Sequence, residues 1–407
     1  MDDKDNVLSL IEEGALVKFT QDLIRIKSVF NPDKQDENEQ IVATYIYDFL
    51  KAEGFETYIQ QVTPERPNVI AILNGESAGK TILFEGHTDV VTAGNLDEWT
   101  VNPFGGEITD GKIYGRGACD TKGNLAAAIF AVKAIKDSKI DFPGKIILCI
   151  PCDEEGMMLG IKDFIKNGWA GDVDGAIICE PEENQICLYQ KGAMRIEITV
   201  FGKQAHGCMP LEGINPNIRM AKLILNLDKL ERKYISKTKK HEFLGYPSIT
   251  PTILLSPKKG ERQINVVPSE AYVTLDIRTI PGQNHTKIIE DINYIFKVMG
   301  NADKYFSAEI NILDDRPCTE TSETEEISLA AMEAFKEVTG KNPTINGVPG
   351  ATDGTFLNSI CKIPVVVTGG GGRTIPHQCD EFIGIKELVL TSKIYAATAL
   401  NFLIKND

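Results

Sequence analysis

A histidine and an aspartate two positions apart, His87 and Asp89, are the first residues of this chain that point to chemistry. They follow the apolar run 81–84, which predicts a buried strand that ends just before them. Because side chains alternate along an extended chain, the two should lie on the same side. A carboxylate that accepts one imidazole N–H leaves the other ring nitrogen for a metal ion. Such a pair is also common as a purely structural contact, so it does not decide the function by itself.

Further acidic and imidazole side chains stand at comparable places. The apolar runs 145–150, 175–179 and 363–367 each predict a core strand, and a helix-favouring stretch covers 125–136. Possible metal ligands follow these strands or end the glycine-rich turn before the helix: Asp120, Glu154, Glu155, Glu180 and His377. Open α/β sheets build their sites at the carboxyl ends of the strands. One acid there is an ordinary cap or turn residue, but a series of candidate ligands in one topological position indicates a shared site.

The adjacent carboxylates Glu154 and Glu155 predict a division of labour. Both could simply occupy the first turn of a helix, where acids suit the helix dipole. Alternatively, one binds a metal ion and the other stays free as a general base for a bound water. Histidine, aspartate and glutamate without thiolates favour a catalytic over a structural zinc site. A carboxylate shared between two ions would make it a two-metal site.

The segments around these residues resemble the zinc hydrolases that include acetylornithine deacetylase, succinyl-diaminopimelate desuccinylase, aminoacylase and glutamate carboxypeptidase. The resemblance runs over nearly the whole chain, and the motifs occur in the family order. It implies an α/β fold, a zinc-peptidase-like catalytic domain with a mixed central sheet flanked by helices. It also implies two divalent metal ions, zinc or alternatively cobalt. Their implied ligands are His87 and Glu180 for one ion, Glu155 and His377 for the other, and Asp120 as the bridge.

The same resemblance implies the catalytic roles. Asp89 orients His87, and Glu154 is the general base that takes a proton from a metal-bridged water and passes it to the leaving amine. Three carboxylates with two dications leave the cluster at about +1, which favours a hydroxide and a developing oxyanion. No Gly-x-Ser-x-Gly motif suggests a covalent route instead.

The middle of the chain has another organisation. Its apolar patterns predict strand, helix, strand, strand, helix, strand, the ferredoxin-like order. This βαββαβ unit is expected as an inserted domain at 191–316, between catalytic parts at 1–190 and 317–407. The resemblance implies that the insert is a lid and dimerisation domain. It also implies a homodimer in which His206 steadies the oxyanion in the partner subunit's site.

Four further residues match family positions that contact substrate. Asn265 and Arg278 match positions that help to hold a substrate carboxylate, a task that suits the planar arginine fork. Gly350 and Thr352 belong to a turn expected to line the pocket. Arg278 could equally be an exposed charge at a strand end. The two remaining histidines match nothing in the family and are expected at the surface: His241 and His285.

Composition agrees with a two-domain enzyme. The 407 residues exceed the usual size of one domain. A net charge of −15 and a pI near 5.0 argue against nucleic-acid binding. The acidic start at Met1 lacks the features of a signal peptide, and no apolar run approaches membrane-spanning length, so a cytoplasmic protein without a membrane partner is expected. Nine scattered cysteines suit reduced thiols.

The substrate is less determined than the chemistry. Family members with glutamate at the position of Glu180 tend to be deacylases and carboxypeptidases, whereas aspartate tends to mark aminopeptidases and dipeptidases. The preferred prediction is therefore hydrolysis of an N-acyl amino acid, in the manner of acetylornithine deacetylase or succinyl-diaminopimelate desuccinylase. A dipeptidase or carboxypeptidase acting on short peptides is the alternative. A non-catalytic binding homologue is a third hypothesis, although neither the base nor a ligand is missing.

Overall fold

The computed structural model describes residues 3–31 and 38–404. The chain forms two compact units. The first consists of Met1–Leu188, Glu320–Gly347 and Thr352–Asp407, and the second of Tyr189–Thr319 and Val348–Ala351. The short segment with Gly350 therefore groups with the inserted unit, whereas the sequence analysis assigns it to the catalytic domain. The acidic start at Met1 lies partly outside the described residues.

Strands and helices alternate along most of the described chain. The strands are β1 Glu56–Thr63, β2 Arg66–Asn74, β3 Ser77–Glu85, β4 Glu107–Thr109, β5 Lys112–Tyr114, β6 Pro143–Ile150, β7 Gly175–Ile178, β8 Ile186–Gln190, β9 Gly192–Phe201, β10 Ala205–His206, β11 Ser248–Leu255, β12 Val266–Val267, β13 Glu270–Thr279, β14 Ala308–Arg316, β15 Thr319–Glu320, β16 Ile345–Val348, β17 Val365–Val367 and β18 Phe382–Gly384. The helices are α1 Asp3–Ser9, α2 Glu13–Arg25, α3 Gln40–Ala52, α4 Lys122–Ser138, α5 Leu159–Lys166, α6 Pro216–Lys237, α7 His285–Ala302, α8 Glu326–Thr339, α9 Gly354–Cys361 and α10 Ile385–Leu403.

The first unit is built on a mixed sheet, as predicted. Its strand order is β1-β2-β6-β3-β7-β17-β8-β15, with β16 paired to β8. The inner strands β6, β3, β7 and β17 run parallel to one another, whereas β1, β2 and β8 pair antiparallel to their neighbours. Parallel strands covered on both faces read as continuous apolar runs, which is why 81–84 and 145–150 were recognisable from sequence. Their carboxyl ends lie along one edge of the sheet.

Helices cover this sheet. Helix α4 is buried along most of its length and packs against α2 and α10. Its alanines bring the helices close to one another and to the sheet. The observed helix begins at Lys122, three residues before the predicted start at Leu125, and ends at Ser138. It places Asp120 just before its first turn. A small three-stranded sheet, β18-β5-β4, lies in the same unit.

The second unit has a four-stranded antiparallel sheet in the order β11-β13-β9-β14. With α6 between β9 and β11, and α7 between β13 and β14, this is the predicted βαββαβ order. Strands β9 and β13 alternate buried and less buried residues over most of their length. Their apolar face forms a separate core with the helices, including Leu223, Leu227, Ile288 and Ile292.

The expectation that the two unmatched histidines lie at the surface is wrong for His285 and incomplete for His241. His285 is buried at the start of α7, where its ring contacts the Thr279 hydroxyl at 2.8 Å and the Asp315 carboxylate. His241 is half-buried and its ring lies 4.9 Å from that of Tyr189, centroid to centroid. These contacts join residues that are distant in sequence or lie on different elements. The spacing of apolar residues along the sequence does not reveal such contacts.

All nine cysteines are free thiols. In the parts of the chain that the structure describes, none of the helices has both the length and the apolar character that crossing a bilayer requires.

Candidate active site

His87 stands two residues beyond the end of β3, and its side chain is 1% exposed. Its Nδ1 lies 2.9 Å from the backbone oxygen of Asp89 and 3.5 Å from that residue's carboxylate. The contact between His87 and Asp89 is thus made mainly by the backbone oxygen of Asp89. Because Nδ1 has this partner, Nε2 is the nitrogen that faces the other predicted ligands.

The Asp89 carboxylate has a second task, which sequence analysis missed. Its two oxygens accept the backbone N–H groups of Glu154 and Glu155, each at 3.0 Å. Burial alone would raise the pKa of Asp89, but the imidazole of His87 and these N–H donors hold it below its usual value. Asp89 therefore joins the loop after β3 to the loop after β6. Glu154 and Glu155 lie in a turn before α5, not in a helical first turn.

Asp120 lies between the two predicted histidine ligands. One carboxylate oxygen is 3.2 Å from Nε2 of His87, and the other is 3.4 Å from Nε2 of His377. His377 also lies 2.9 Å from Glu155. The contacts with Asp120 and Glu155 raise the pKa of His377 to about 10. Each oxygen of Asp120 thus faces a different imidazole, the arrangement that a bridging ligand requires.

Glu180 and Glu154 complete the cluster. Glu180 follows β7, and its carboxylate is 3.6 Å from Nε2 of His87. Burial raises the pKa of Glu154 well above its ordinary value, the charge of His87 opposes this, and the neighbouring Glu155 adds to it. Among the described residues, no side chain forms a hydrogen bond with the Glu154 carboxylate, so its oxygens are available to another proton donor.

The donor set fits divalent cations. One ligand atom each from His87, Asp120 and Glu155 lies within 4.8 Å of the others, and Glu180 and His377 extend the same group. Imidazole nitrogens and carboxylate oxygens without thiolates are the ligands of catalytic zinc and related ions. Several carboxylates so close together repel one another unless cations neutralise them. The arrangement can therefore hold metal ions beside a free carboxylate, Glu154.

A further buried carboxylate, Glu381, holds the loop that carries Asp120. One oxygen of Glu381 accepts the backbone N–H groups of Cys119 and Asp120 at 2.9 and 3.0 Å. The other oxygen pairs with the buried Arg116 at 2.5 Å. Pairing of β18 with β5 brings Glu381 next to this loop. The sequence signal was weak: an acid that directly precedes the short apolar pair of β18.

Two fully buried carboxyl groups were also missed. In the described part of the chain, neither oxygen of Glu85 or Asp353 has a hydrogen-bond partner. Burial raises the pKa of Glu85 to about 8 and that of Asp353 well above its usual range. Glu85 had a visible signal, a charged residue at the end of an apolar strand. Asp353, which precedes α9, had none beyond its turn sequence.

Three predicted residues of the second unit, His206, Asn265 and Arg278, lie outside this cluster. His206 is exposed on β10, and its Nδ1 accepts the backbone N–H of Cys208 at 3.1 Å. Asn265 is exposed, and its backbone oxygen accepts the Gly207 N–H at 2.7 Å, so the loops of His206 and Asn265 are neighbours. Arg278 is half-buried and forms two hydrogen bonds with Asp276, at 2.6 and 3.1 Å.

Gly350 and Thr352 fall on either side of a unit boundary. Gly350 is half-buried in the short segment that belongs to the second unit. Thr352 is buried in the first unit, and its hydroxyl accepts the Gly354 N–H at 3.2 Å at the start of α9. For both residues the role in substrate binding stays a prediction.

Comparison with known proteins identifies the family of this chain. The model of peptidase family M20/M25/M40 matches residues 83–401. A Staphylococcus epidermidis protein named "probable succinyl-diaminopimelate desuccinylase" is 28% identical over 398 residues, covering 92% of this chain and 95% of the relative.

Two solved structures share the fold. An M20 family metallo-carboxypeptidase from Sulfolobus solfataricus superposes with a TM-score of 0.78 at 23% identity, covering 95% of this chain and 99% of its own. The dipeptidase Dug1p from Saccharomyces cerevisiae superposes with a TM-score of 0.74 at 19% identity, covering 99% of both chains.

The matched segment contains every residue of the cluster described above, from His87 to His377. The chain therefore belongs to peptidase family M20/M25/M40 and is a metallohydrolase of amide or peptide bonds.

Proposed function

We propose that this protein hydrolyses the amide bond of an N-acyl amino acid, with Glu154 as the general base. The observation that carries the proposal is the convergence on Asp120. Two imidazoles far apart in sequence, His87 and His377, each approach a different oxygen of this carboxylate. Glu154, which is buried and has no side-chain hydrogen bond among the described residues, stands in the same unit.

Two divalent ions, zinc or alternatively cobalt, are proposed as cofactors. His87 and Glu180 would hold one and Glu155 and His377 the other, with Asp120 between them. When bound, such ions lower the pKa of a water and polarise the substrate carbonyl. The carboxylates of Asp89 and Glu381 keep the ligand-bearing loops in place because they accept backbone N–H groups of those loops.

Glu154 is proposed to move the proton. Its carboxylate has a raised pKa because it is buried, and a base is most effective when its pKa lies near the working pH. It would take a proton from the attacking water and deliver it to the leaving amine nitrogen. Neither step requires a covalent bond to the protein.

The second unit is proposed to supply substrate contacts. In a homodimer, the exposed imidazole of His206 would donate to the developing oxyanion in the partner's site, and the adjacent Asn265 would contact the same substrate. Arg278 would have to exchange its bonds to Asp276 for a substrate carboxylate. Gly350 and Thr352 are proposed to line the pocket.

The acyl substrate is favoured by Glu180 and by the desuccinylase name of the relative at 28% identity. Peptide hydrolysis is the second candidate, because the structures that share the fold include a carboxypeptidase and a dipeptidase. Both activities need the same cluster and differ in the pocket.

One panel tests the proposal. The metal-free protein is reconstituted with zinc or cobalt and supplied with N-acetyl-ornithine, N-succinyl-diaminopimelate, other N-acyl amino acids and dipeptides. Faster release of amine from acyl substrates than from dipeptides supports the proposal, and the reverse order supports the peptidase. Absence of turnover with every amide and both metals contradicts both. Glu154→Gln serves as the control for a contaminating hydrolase.

A further inference from the structure

A basic groove lies in the first unit beside the loop that carries His87 and Asp89. It has a volume of about 750 Å³ and is lined by Arg25, Lys27, Thr92, Ala93 and Phe104, among others. This volume is in the range of small-molecule sites. The groove is not part of the proposed metal cluster.

The segment that carries Lys27 is hydrogen-bonded on one side to the loop of His87. The backbone oxygen of Ser28 accepts the Val90 N–H at 3.3 Å, and the Ser28 hydroxyl donates to the Thr88 oxygen at 2.7 Å. Thr88 lies between His87 and Asp89, so the residue after Lys27 is attached directly to the predicted ligand loop.

The residue before Lys27 is attached to the other ligand loop. The buried Lys122 donates from Nζ to the backbone oxygens of Ile26 at 2.7 Å and Leu23 at 2.9 Å. Lys122 begins α4, two residues after Asp120. Lys27 therefore stands between Ser28, which is bonded to the loop of His87, and Ile26, which is bonded to the first residue of α4, two residues after Asp120.

The charge of Lys27 is available to a ligand. Arg25 is paired with Asp22 at 3.2 Å and donates from Nε to the Gly105 oxygen. Among the residues that the structure describes, no carboxylate forms an ion pair with Lys27, whose Nζ lies 5.2 Å from the centre of the Phe104 ring. In a chain with a net charge of −15, the ammonium group of Lys27 therefore favours an anionic ligand in this groove.

We propose that this groove binds a carboxylate of the substrate remote from the scissile amide, with Lys27 as its principal partner. This inference rests on the proposed function and narrows its substrate class to acyl amino acids with an additional acidic group. That group belongs either to the acyl chain, as in a succinyl group, or to the amino-acid side chain. Phe104 and the stem of Lys27 would cover the methylenes next to it.

Three substrates show whether the additional acid belongs to the acyl chain or to the amino-acid side chain. N-succinyl-alanine carries the additional acid on the acyl side, N-acetyl-glutamate on the side-chain side, and N-acetyl-alanine on neither. For Lys27→Met, which keeps the stem and removes the charge, we expect KM for one acidic substrate to rise about tenfold, with kcat little changed, because a charged hydrogen bond is lost. KM for N-acetyl-alanine should not change. Lys27→Arg should retain most of the discrimination.

Lys51→Met is the matched control, because Lys51 also lies over an aromatic ring, that of Tyr47, but does not line the groove. Equal effects of Lys27→Met on all three substrates, or no effect on any of them, would overturn the inference.

Calorimetric titration of the metal-loaded protein with succinate and with glutarate gives a readout independent of turnover. If no amide is cleaved but one dicarboxylate binds about tenfold more weakly to Lys27→Met, the proposed function fails while the anion site stands. If neither binds differently, the anion site fails.

Discussion

The predicted metal ligands of the first unit contact one another, whereas the predicted site residues of the second unit are exposed or paired locally. His87 is buried among Asp89, Asp120 and Glu180. The imidazole of His206, in contrast, has only the backbone N–H of Cys208 in its own turn as a hydrogen-bond partner among the described residues. The two histidines are proposed to act in the same reaction, but they differ in burial and in the number of their side-chain contacts.

This difference follows from the roles proposed for the two residues. Buried ligands must be held rigidly, because desolvated carboxylates repel and need fixed partners until a cation neutralises them. Their loops are accordingly joined by Asp89 and Glu381. A residue that acts on another surface must stay exposed. The comparison therefore predicts that substitutions in the first unit lower the metal content or strongly reduce kcat. Substitutions in the second unit should reduce turnover and leave the metal content unchanged.

The sharpest contrast lies within the first unit. Glu154→Gln should lower kcat by about 10²–10⁴-fold while leaving metal content unchanged, because it removes a proton acceptor and no ligand. Glu155→Gln should instead lose metal. Activity is measured together with metal content by atomic emission. Loss of metal from Glu154→Gln would mean that the roles of the two residues are reversed.

For the second unit, His206→Ala should lower kcat by about 10²–10³-fold with unchanged metal content, as expected for loss of an oxyanion donor. Mixing it with Glu154→Gln should restore about a quarter of wild-type activity, since half of the random dimers are mixed and each has one intact site. A mixture that stays inactive would contradict a contribution across subunits.

Glu381 binds the backbone N–H groups of the Asp120 loop, and its substitution should affect metal affinity less than loss of a ligand would. Glu381→Gln places an amide N–H₂ against Arg116 or removes the acceptor of the Cys119 and Asp120 N–H groups. Metal affinity should fall by about 10–100-fold, as for other residues that orient ligands, and excess metal should restore kcat. Competition with a chelator measures the affinity. Glu333→Gln, on the exposed side of α8, is the control; an unchanged affinity with only reduced stability would show that Glu381 is merely structural.

The smallest expected effect concerns Asp353. Its raised pKa means that the folded state binds its proton more tightly than the unfolded state, where the pKa is near 3.8. Stability is then lost as the pH rises above that unfolded value. Asp353→Asn should match wild type near pH 4 and be the more stable of the two at pH 8. Urea unfolding across this range is the measurement, with Asp172→Asn, an exposed residue, as the control. A constant difference at all pH values would contradict a protonated Asp353.

Particular residues show how far sequence patterns reach. The buried strands β3, β6, β7 and β17 were predicted because an apolar run between polar turns is a local signal. The cluster from His87 to His377 followed from strand ends and family motifs. The errors and omissions have another origin: His285 is buried by Thr279 and Asp315, and Glu381 finds its donors more than 250 residues away. Such partners are adjacent only after strands pair.

The amino-acid sequence by itself determined which segments become core strands and helices, and which side chains can serve as ligands and base, because both depend on residue type and short spacing. Only the tertiary structure decided which oxygen of Asp120 faces which imidazole, which carboxylates hold the ligand loops, and that Lys27 lies between two of those loops. These relations depend on distances between elements far apart along the chain, and those distances exist only once the sheet has assembled.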